Sequence, residues 1–401
     1  MTRKSTIVVL GALLGLYAAS QASAAADQVV IGDIDDMSGV YADVMGQAGI
    51  DVINMAIADF GGTVLGRKIV LLYADHQNKP DIAVSKAREW ADQNGLNMLF
   101  GGTNTGAAIA IAKVMPAKKV PLFITGASGA SLTNEDCTAY TVHYVYNTTA
   151  LANGTATTVV KNGGKSWFYL TADYAFGTQL QSAASKVVEA NGGKNVGAVR
   201  VPLQTSDFSS FVLQAQASGA QVLGLANAGT DFINSLKASN EFGLTKTMKP
   251  VGLVVFINNV HSLGLDVAQG LTVTTAWYWD LNDETRAFSK RYLARTQKPP
   301  TMAQAGTYSA TMTYLKAVKA AGTTDGAAVA RKMRELPVND AFTRNGLVRA
   351  DGQMQHDMYL AMVKAPLDSK APWDDLDILE TIPAEKAFRP LEGSPCSLVG
   401  K

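Results

Sequence analysis

Two groups of small polar residues follow apolar segments that have the pattern of short β-strands. In the first group, Thr103, Asn104 and Thr105 come after the predicted strand 97–100 and stand at the start of a predicted helix. The two preceding glycines let a bound group approach the main chain, and the free N–H groups of a helix start attract an anion. The segment therefore predicts a hydrogen-bonding site for a small anion. The alternative is that Thr or Asn only caps the helix here.

The next predicted strand, 121–125, ends in a similar way. It is followed by Gly126, Ala127 and Ser128. Because ligands of open parallel sheets lie beyond the carboxyl ends of the strands, the two strand ends are predicted to form one polar wall that holds a carboxylate. The chain has neither a GxxxxGK[ST] pattern nor a GxGxxG pattern after a strand, which argues against a nucleotide phosphate.

Aromatic and amide side chains follow predicted strands in the second half of the chain. Tyr174 and Phe176 lie in LTADYAFG, Asn227 lies in LANAGTD, and Trp277 lies in AWYWD. Each of these residues could instead belong to a buried core. Taken together they predict an aromatic wall that faces the polar wall, which is the combination that a small organic ligand requires.

No pattern typical of catalysis or of metal binding is present. The chain lacks GxSxG, HExxH and CxxC, and its 4 histidines are scattered. We therefore predict no catalytic residue, no metal and no cofactor. Cys137 and Cys396 are predicted to form a disulfide in an oxidising compartment, and two unpaired buried thiols are the alternative.

The elements that must position these residues alternate regularly. Strands are predicted at 28–32, 68–74, 97–100 and 121–125, with a helix after each of the first three. The same alternation resumes near residue 150 and ends with a predicted strand at 251–256. This order predicts parallel βαβ units in two doubly wound α/β halves. The last third adds helices and a hairpin, which suits a chain that crosses back to complete both halves.

Composition and the first residues restrict the class of protein. The 401 residues predict two domains or one two-lobed protein, and a formal net charge of +1 argues against a nucleic-acid partner. Arg3 and Lys4 precede the apolar run 7–19, and small residues follow up to Ala26. Residues 1–26 are therefore predicted to be a signal peptide cleaved near Ala24–Ala26, and a retained anchor helix is the alternative. The mature protein is expected to be soluble and exported to the periplasm.

Several of these segments occur in the order of a known family. VIGDIDDMSGVYADVMGQAGIDVINMAIADFGG, GGTNTGAAIA, FITGASGASLT, TADYAFGTQL and TSDFSSFVLQAQASGAQVLGLANAGTD extend over most of residues 28–350. The chain thereby resembles the periplasmic substrate-binding proteins of ABC transporters, in the leucine/isoleucine/valine-binding branch. The resemblance implies the α/β type I periplasmic binding fold, with two Rossmann-like lobes, three hinge crossovers and a ligand in the interlobe cleft. The expected lobes are 27–145 plus 275–347 and 146–274 plus 348–401, with crossovers near 144–148, 274–276 and 346–349.

The resemblance also implies ligand-binding positions. The carboxylate-binding position of the family falls near Thr103, and its pair on the next strand falls at Ala127 and Ser128. Aromatic contacts fall at Phe176 and, with a local spacing that differs by about one residue, at Tyr41.

The family's amino-acid binders hold the ammonium group with an acidic residue, in a segment that corresponds here to VGLVVFIN and contains no acid. Asp231, at a neighbouring strand end, could take the place of this acidic residue, although helix capping is the stronger interpretation of Asp231. Since a buried ammonium group without a counter-charge is costly, we expect a carboxylate ligand without an amine. An aromatic or keto acid fits this expectation better than leucine.

The expected function is the solute-binding subunit of an ABC importer that closes on a small carboxylate. Its expected partners are a membrane permease and an ATPase, and the protein is expected to be a monomer and not an enzyme. A periplasmic sensing module for a receptor and an exported α/β enzyme are the alternatives.

Overall fold

The computed structural model describes residues 28–400, so the predicted signal peptide at 1–26 lies outside the described residues. In chain order the strands are β1 (Gln28–Asp35), β2 (Thr63–Val64), β3 (Arg67–Asp75), β4 (Leu96–Phe100), β5 (Leu122–Ile124), β6 (Thr141–His143), β7 (Ser166–Ala172), β8 (Lys194–Val201), β9 (Val222–Ala226), β10 (Lys249–Gly252), β11 (Thr272–Thr275), β12 (Leu347–Val348), β13 (Met354–Gln355), β14 (Met358–Val363) and β15 (Leu376–Ile382).

The helices in chain order are α1 (Gly46–Asp59), α2 (Pro80–Gln93), α3 (Thr105–Lys118), α4 (Thr148–Lys161), α5 (Ala175–Ala190), α6 (Ser209–Ala217), α7 (Gly229–Glu241), α8 (Ile257–Leu263), α9 (Leu265–Ala268), α10 (Asp283–Thr296), α11 (Met302–Ala321), α12 (Gly326–Glu335) and α13 (Ala384–Ala387). Two short 3-10 helices are formed by Ala130–Thr133 and Leu244–Lys246. In residues 28–400 no helix combines the length and the apolarity needed to cross a bilayer.

The first sheet contains the strands of the amino-terminal part, in the order β2-β3-β1-β4-β5-β6. All its neighbours are parallel except β2 and β3. The central strand β1 alternates between two packed faces, because successive side chains of a strand point to opposite sides. Val29 and Ile31 face one apolar cluster, whereas Val30 and Ile34 face another. We call this sheet with its helices α1 to α3 the first unit.

The second sheet has the order β10-β9-β7-β8 and is entirely parallel. It and its helices α4 to α7 form what we call the second unit. The predicted alternation of strands and helices in two parallel α/β halves is confirmed. A separate antiparallel sheet, β11-β14-β15, contains the returning chain and packs beside α4.

One predicted strand is shorter than expected, and a nearby aromatic segment forms a strand in its first residues only. The segment predicted as a strand at 251–256 leaves the sheet after Gly252, because the Asn259 side chain accepts the Phe256 N–H at 3.1 Å and α8 begins at Ile257. In the β-branched and aromatic segment 271–280, strand β11 ends at Thr275, where the hydroxyl group donates to the Trp277 carbonyl at 2.8 Å. The residues directly after β10 and directly after β11 therefore lie in loops.

The carboxyl-terminal part of the chain returns to the first unit. The hairpin β12–β13 lies against β6, where the His143 N–H donates to the Gly352 carbonyl at 2.9 Å. Cys137 and Cys396 are joined by a disulfide that spans 259 residues of sequence. The last residues are therefore attached covalently to the loop before β6.

Candidate functional site

A cavity lies where the carboxyl ends of the two parallel sheets face each other. Its empty volume is about 270 Å³, and its lining comes from both units: Tyr41, Val44, Thr103, Gly126, Ser128, Tyr146, Tyr174, Phe176, Ala228, Val254 and Phe256. Most of these residues stand just after a strand of one of the two sheets, as expected for ligand sites of open α/β sheets. None of the lining residues carries a charged side chain.

The structure brings five of the residues singled out in the sequence to this cavity. Thr103 and Ser128 contribute the two hydroxyl groups of the polar wall, and Tyr41, Tyr174 and Phe176 contribute aromatic rings. Tyr174 and Phe176 pack against each other with their ring centroids 5.7 Å apart. The expected pairing of a polar wall with an aromatic wall is therefore present in the geometry.

Asn104 and Thr105 do not line the cavity. The Asn104 side chain caps α3, because its Oδ1 accepts the Ala107 N–H at 3.0 Å, and its Nδ2 donates to Asn78 at 3.1 Å. The Thr105 side chain is buried, with its methyl group against Gly129. Asn104 therefore acts as an ordinary helix cap, which was the alternative to a role in ligand binding.

Ala127, Asn227 and Trp277 also lie outside the cavity lining. The Ala127 N–H donates to the Gly102 carbonyl at 2.9 Å, and the Asn227 side chain donates to Ser235 at 3.0 Å. Trp277 follows the turn after β11 and packs in the core, with Phe288 edge-on at 5.5 Å and Phe342 stacked at 6.4 Å. Trp277 is therefore a buried core residue, which was the alternative interpretation, because its ring packs against apolar neighbours on α10 and in the loop before β12.

Sequence reasoning missed Val44, Gly126, Tyr146, Ala228, Val254 and Phe256 as lining residues. Phe256 and Val254 belong to the VGLVVFIN segment, which was noted only for its missing acid. With a predicted strand end at Gly252, the rule that ligands lie beyond strand ends would have placed Val254 and Phe256 at the site. Tyr146 follows β6 directly, and its hydroxyl group donates to the Gly126 carbonyl at 2.5 Å.

The two hydroxyl groups of the polar wall differ in their hydrogen bonds. Thr103 donates both its N–H, at 2.9 Å, and its hydroxyl proton, at 2.6 Å, to the same oxygen of Asp35. No hydrogen-bond partner for the Ser128 hydroxyl is found within residues 28–400, although Ser128 is only 3 % exposed. Ser128 can therefore donate to a bound group, whereas the Thr103 hydroxyl proton is already donated to Asp35.

Behind Thr103 lie three aspartates at the end of β1. Asp36 is well partnered, since it accepts hydrogen bonds from Gly39, Tyr41 and Asn78. Asp35 has one partnered and one unpartnered oxygen, and burial raises its pKa to about 7 although the hydrogen bonds from Thr103 oppose the shift. Asp33 is completely buried with both oxygens unpartnered, and burial together with the nearby Asp35 charge raises its pKa well above the usual range.

Direct hydrogen bonds join the two units around the cavity. The Tyr41 and Tyr174 hydroxyl oxygens are 2.6 Å apart, and the Thr230 N–H donates to the Val40 carbonyl at 3.1 Å. Asn258 donates to the Asp43 carbonyl at 2.8 Å. On the other side of the cavity, Gln179 on α5 and Ser131 exchange hydrogen bonds of 3.1 Å. The two units are thus in contact, with the cavity between them.

Metal binding has no candidate site in the described part of the chain. Within residues 28–400, no group of three or more His, Cys, Asp or Glu side chains is arranged to hold a metal ion. The chemistry that the cavity offers is therefore hydrogen bonding from hydroxyl groups and contact with aromatic and aliphatic side chains.

Comparison with known proteins identifies the family. A Leu/Ile/Val-binding protein homologue of Brucella melitensis is 28 % identical over 236 residues, and the matched stretch covers 58 % of this chain. The chain spans about 59 % of the length of that curated relative.

Solved structures match over nearly the whole chain. A periplasmic binding protein from Burkholderia mallei is 54 % identical, with a TM-score of 0.92 over 93 % of this chain and 99 % of that one. The periplasmic ligand-binding protein of a branched-chain amino acid ABC transporter from Burkholderia xenovorans is 41 % identical, with a TM-score of 0.82 over 93 % of this chain and 100 % of that one.

A solute-binding protein of an ABC transporter from R. palustris, in complex with benzoate, shares the fold at 19 % identity, with a TM-score of 0.82 over 92 % of this chain and 100 % of that one. The α/β architecture is that of the type I periplasmic binding proteins. A profile of the periplasmic binding protein family matches residues 28–371. The chain therefore belongs to the periplasmic binding protein family.

Proposed function

We propose that the chain is the solute-binding subunit of an ABC importer and that it encloses a small carboxylate, preferably an aromatic or keto acid, between two lobes. The observation that carries this proposal is the cavity between the carboxyl ends of the two sheets, with the free Ser128 hydroxyl and a lining that is otherwise mostly aromatic and aliphatic. Ligand pockets of this type use a few polar groups for orientation and apolar walls for affinity.

The lining argues against an amino acid as ligand. Val254 and Phe256 occupy the segment in which an amino-acid binder of this family is expected to carry its acid. Asp231 is not a lining residue, and its carboxylate accepts the Gln204 N–H at 3.1 Å. No carboxylate lines the cavity to pair directly with a buried ammonium group, whereas a ligand carboxylate can accept a hydrogen bond from Ser128.

The size of the cavity favours a small ligand. The empty space between the lining atoms, about 270 Å³ with its opening to solvent included, leaves room for nothing larger than a small molecule. Benzoate is a suitable first probe, since a protein with the same fold holds it. Tyr41, Tyr174 and Phe176 are the proposed contacts for its ring, and Ser128 and Thr103 are the proposed neighbours of its carboxylate.

Binding is proposed to proceed by closure of two lobes about three crossovers, the first lobe built on 27–145 plus 275–355 and the second on 146–274 plus the strands β14 and β15. The first two crossovers are proposed near 144–148 and 274–276. The hydrogen bond between His143 and Gly352 supports a shift of the third crossover from 346–349 to a position after Gln355, because the hairpin 347–355 stays beside β6.

The closed protein is proposed to deliver its ligand to a membrane permease that is driven by an ATPase subunit. Export to the periplasm with cleavage near Ala24–Ala26 and a monomeric state belong to the same proposal. A strain that lacks the gene is expected to lose energy-dependent uptake of the ligand, and unchanged uptake would contradict the importer role.

The ligand is tested by isothermal titration calorimetry and thermal shift with the purified protein. The probes are benzoate, 4-hydroxybenzoate, the 2-keto acid of leucine, and leucine itself. Binding of a carboxylate without an amine, with a raised melting temperature, supports the proposal, since a ligand that binds only the folded protein stabilises it by mass action. Tight binding of leucine without any response to the other acids would overturn the assigned ligand class.

A further inference from the structure

Asp35 lies directly behind the polar wall of the cavity and holds that wall in place. Its Oδ1 accepts three hydrogen bonds, from the Asp36 N–H at 2.7 Å, the Thr103 N–H at 2.9 Å and the Thr103 hydroxyl group at 2.6 Å. Its Oδ2 is buried and has no partner within residues 28–400. Asp35 is 1 % exposed and takes part in none of the ion pairs of the described residues.

The titratable groups around Asp35 are acids, phenols and an uncharged imidazole. Asp33 lies two residues before it on the same face of β1, and Asp36 follows it. Asp75 and His76 lie at the end of β3. The His76 Nε2 and the Asp35 Cα are both close to Gly102, each 3.0 Å from the position that a Cβ atom of residue 102 would take. Burial lowers the pKa of His76 to about 4, so that this ring is neutral near neutral pH.

Phenols complete the surroundings of Asp35 on the side of the cavity. Tyr146 lines the cavity and is close enough for the Asp35 charge to contribute to its raised pKa, although burial is the larger cause. Tyr41 and Tyr174 interact electrostatically with Asp231 of the second unit and with Asp36. No positive charge among the described residues offsets an ionised Asp35 at this position.

We propose that a carboxylate ligand binds this cavity together with one proton, which is taken up from solvent by Asp35. The inference rests on the proposed function, because it concerns a carboxylate in the same cavity. Thr103 connects Asp35 with the ligand, because only the Thr103 hydroxyl group stands between the Asp35 carboxylate and the space proposed for the ligand carboxylate. Asp35 is therefore a positioning residue for Thr103, and its charge determines the affinity of the site for anions.

Two arguments support proton uptake. Like charges that share a water-excluded site raise the pKa of one another, so the ligand anion drives protonation of Asp35. Protonation also replaces the charge-assisted hydrogen bond from Thr103 by a weaker neutral one, which allows the Thr103 hydroxyl group to turn toward the ligand. Burial already raises the pKa of Asp35 in the unliganded protein to about 7, so the proton is available near physiological pH.

The inference is tested by calorimetric titration of the wild-type protein with benzoate, or with whichever probe acid binds, in two buffers that differ in ionisation enthalpy. The expected result is uptake of up to one proton per ligand above pH about 7. The dissociation constant is expected to rise by up to about tenfold per pH unit in that range, the slope for a single proton.

The variant Asp35→Asn keeps the size of the side chain and an oxygen for the three hydrogen bonds, but it has no charge. We expect it to bind the acid without proton uptake and with an affinity that is independent of pH from about 6 to about 9. Asp33→Asn is the control for proton uptake by the neighbouring carboxyl group, whose pKa is raised by burial and by the Asp35 charge. It leaves the hydrogen bonds from Thr103 to Asp35 in place and is expected to keep the uptake.

The outcomes separate this inference from the function on which it rests. Carboxylate binding without proton uptake by the wild-type protein, or a wild-type pH profile in Asp35→Asn, overturns the inference and leaves the proposed function standing. If Asp35→Asn fails to fold, the two-buffer measurement on the wild-type protein decides alone. Failure of the wild-type protein to bind any probe carboxylate at any pH overturns both.

Discussion

The hydroxyl oxygens of Tyr41 and Tyr174 lie 2.6 Å apart and join the two units at the cavity. Tyr41 belongs to the first unit and Tyr174 precedes α5 of the second, so their hydrogen bond exists only while the two units are together. Burial is the main cause of the raised pKa of both phenols, which keeps both of them protonated. The pair closes one wall of the cavity without introducing a charge.

Tyr174→Phe removes this bond and leaves the Tyr41 hydroxyl group buried without its partner. The affinity for the ligand is expected to fall by about fivefold, which corresponds to about 1 kcal/mol for a neutral hydrogen bond. Titration calorimetry measures the change. Tyr73→Phe is the control, because Tyr73 is 60 % exposed and lies away from the cavity. Equal affinities of the two variants would show that the hydroxyl pair does not stabilise the closed state.

Ser128→Ala deletes a hydroxyl group that lines the cavity and has no hydrogen-bond partner among residues 28–400. If this group donates to the ligand carboxylate, its loss is expected to weaken binding by about 10- to 100-fold, since hydrogen bonds to charged groups contribute about 1.5–3 kcal/mol. The melting temperature without ligand should change little. Ser210→Ala, on an exposed face of α6, provides the control. A Ser128→Ala protein with wild-type affinity would remove Ser128 from the site.

Gly229→Ala tests closure separately from folding. A Cβ atom at Gly229 would lie 2.1 Å from the Val40 carbonyl oxygen, which belongs to the opposite unit. If the two units move apart without ligand, as proposed, this clash exists only in the closed arrangement. Ligand affinity is then expected to fall by at least about tenfold, by the cost of overpacking.

Gly243→Ala is the matched control for Gly229→Ala. Both glycines have a positive φ, +61° and +69°, but no atom lies within 4 Å of a Cβ at Gly243. The two variants should therefore have similar melting temperatures without ligand and different affinities. A large loss of stability in Gly229→Ala alone would mean that the contact with Val40 is part of the unliganded fold.

Asp33 is expected to make the stability of the protein depend on pH. Its pKa is raised in the folded state, so the folded protein holds this proton more tightly than the unfolded chain does. The contribution of Asp33 to stability is therefore complete below the unfolded value of about 4 and is lost as pH rises toward the folded pKa. Asp33→Asn abolishes this loss.

The melting temperature of Asp33→Asn relative to wild type should accordingly increase between acidic pH and pH about 8. The difference between the two proteins isolates Asp33 from His76 and His143, whose lowered pKa values cause the opposite trend as pH falls below about 6.5. A difference in melting temperature that stays constant with pH would show that Asp33 is ionised in the folded protein.

The order of the elements was predictable because it is a local property. The alternation of short apolar strands with amphipathic helices is visible in segments such as 28–60 and 166–191, and the structure has strands and helices there. The rule that ligands lie beyond strand ends then located Thr103, Ser128 and Phe176 at the cavity. Each of these residues needs only its own strand end to be assigned.

The sequence by itself thus determined the two parallel α/β halves and the polar strand ends of the cavity. Only the tertiary structure decided which polar groups are free. Thr103 is bound by Asp35, 68 residues away in the chain, while Ser128 has no hydrogen-bond partner in the described part of the chain. It likewise placed Phe256 in the cavity and Trp277 in the core, although both follow strands. The physical reason is that side chains from distant elements compete for the same hydrogen-bond partners and apolar neighbours. A local sequence pattern does not encode the outcome of that competition.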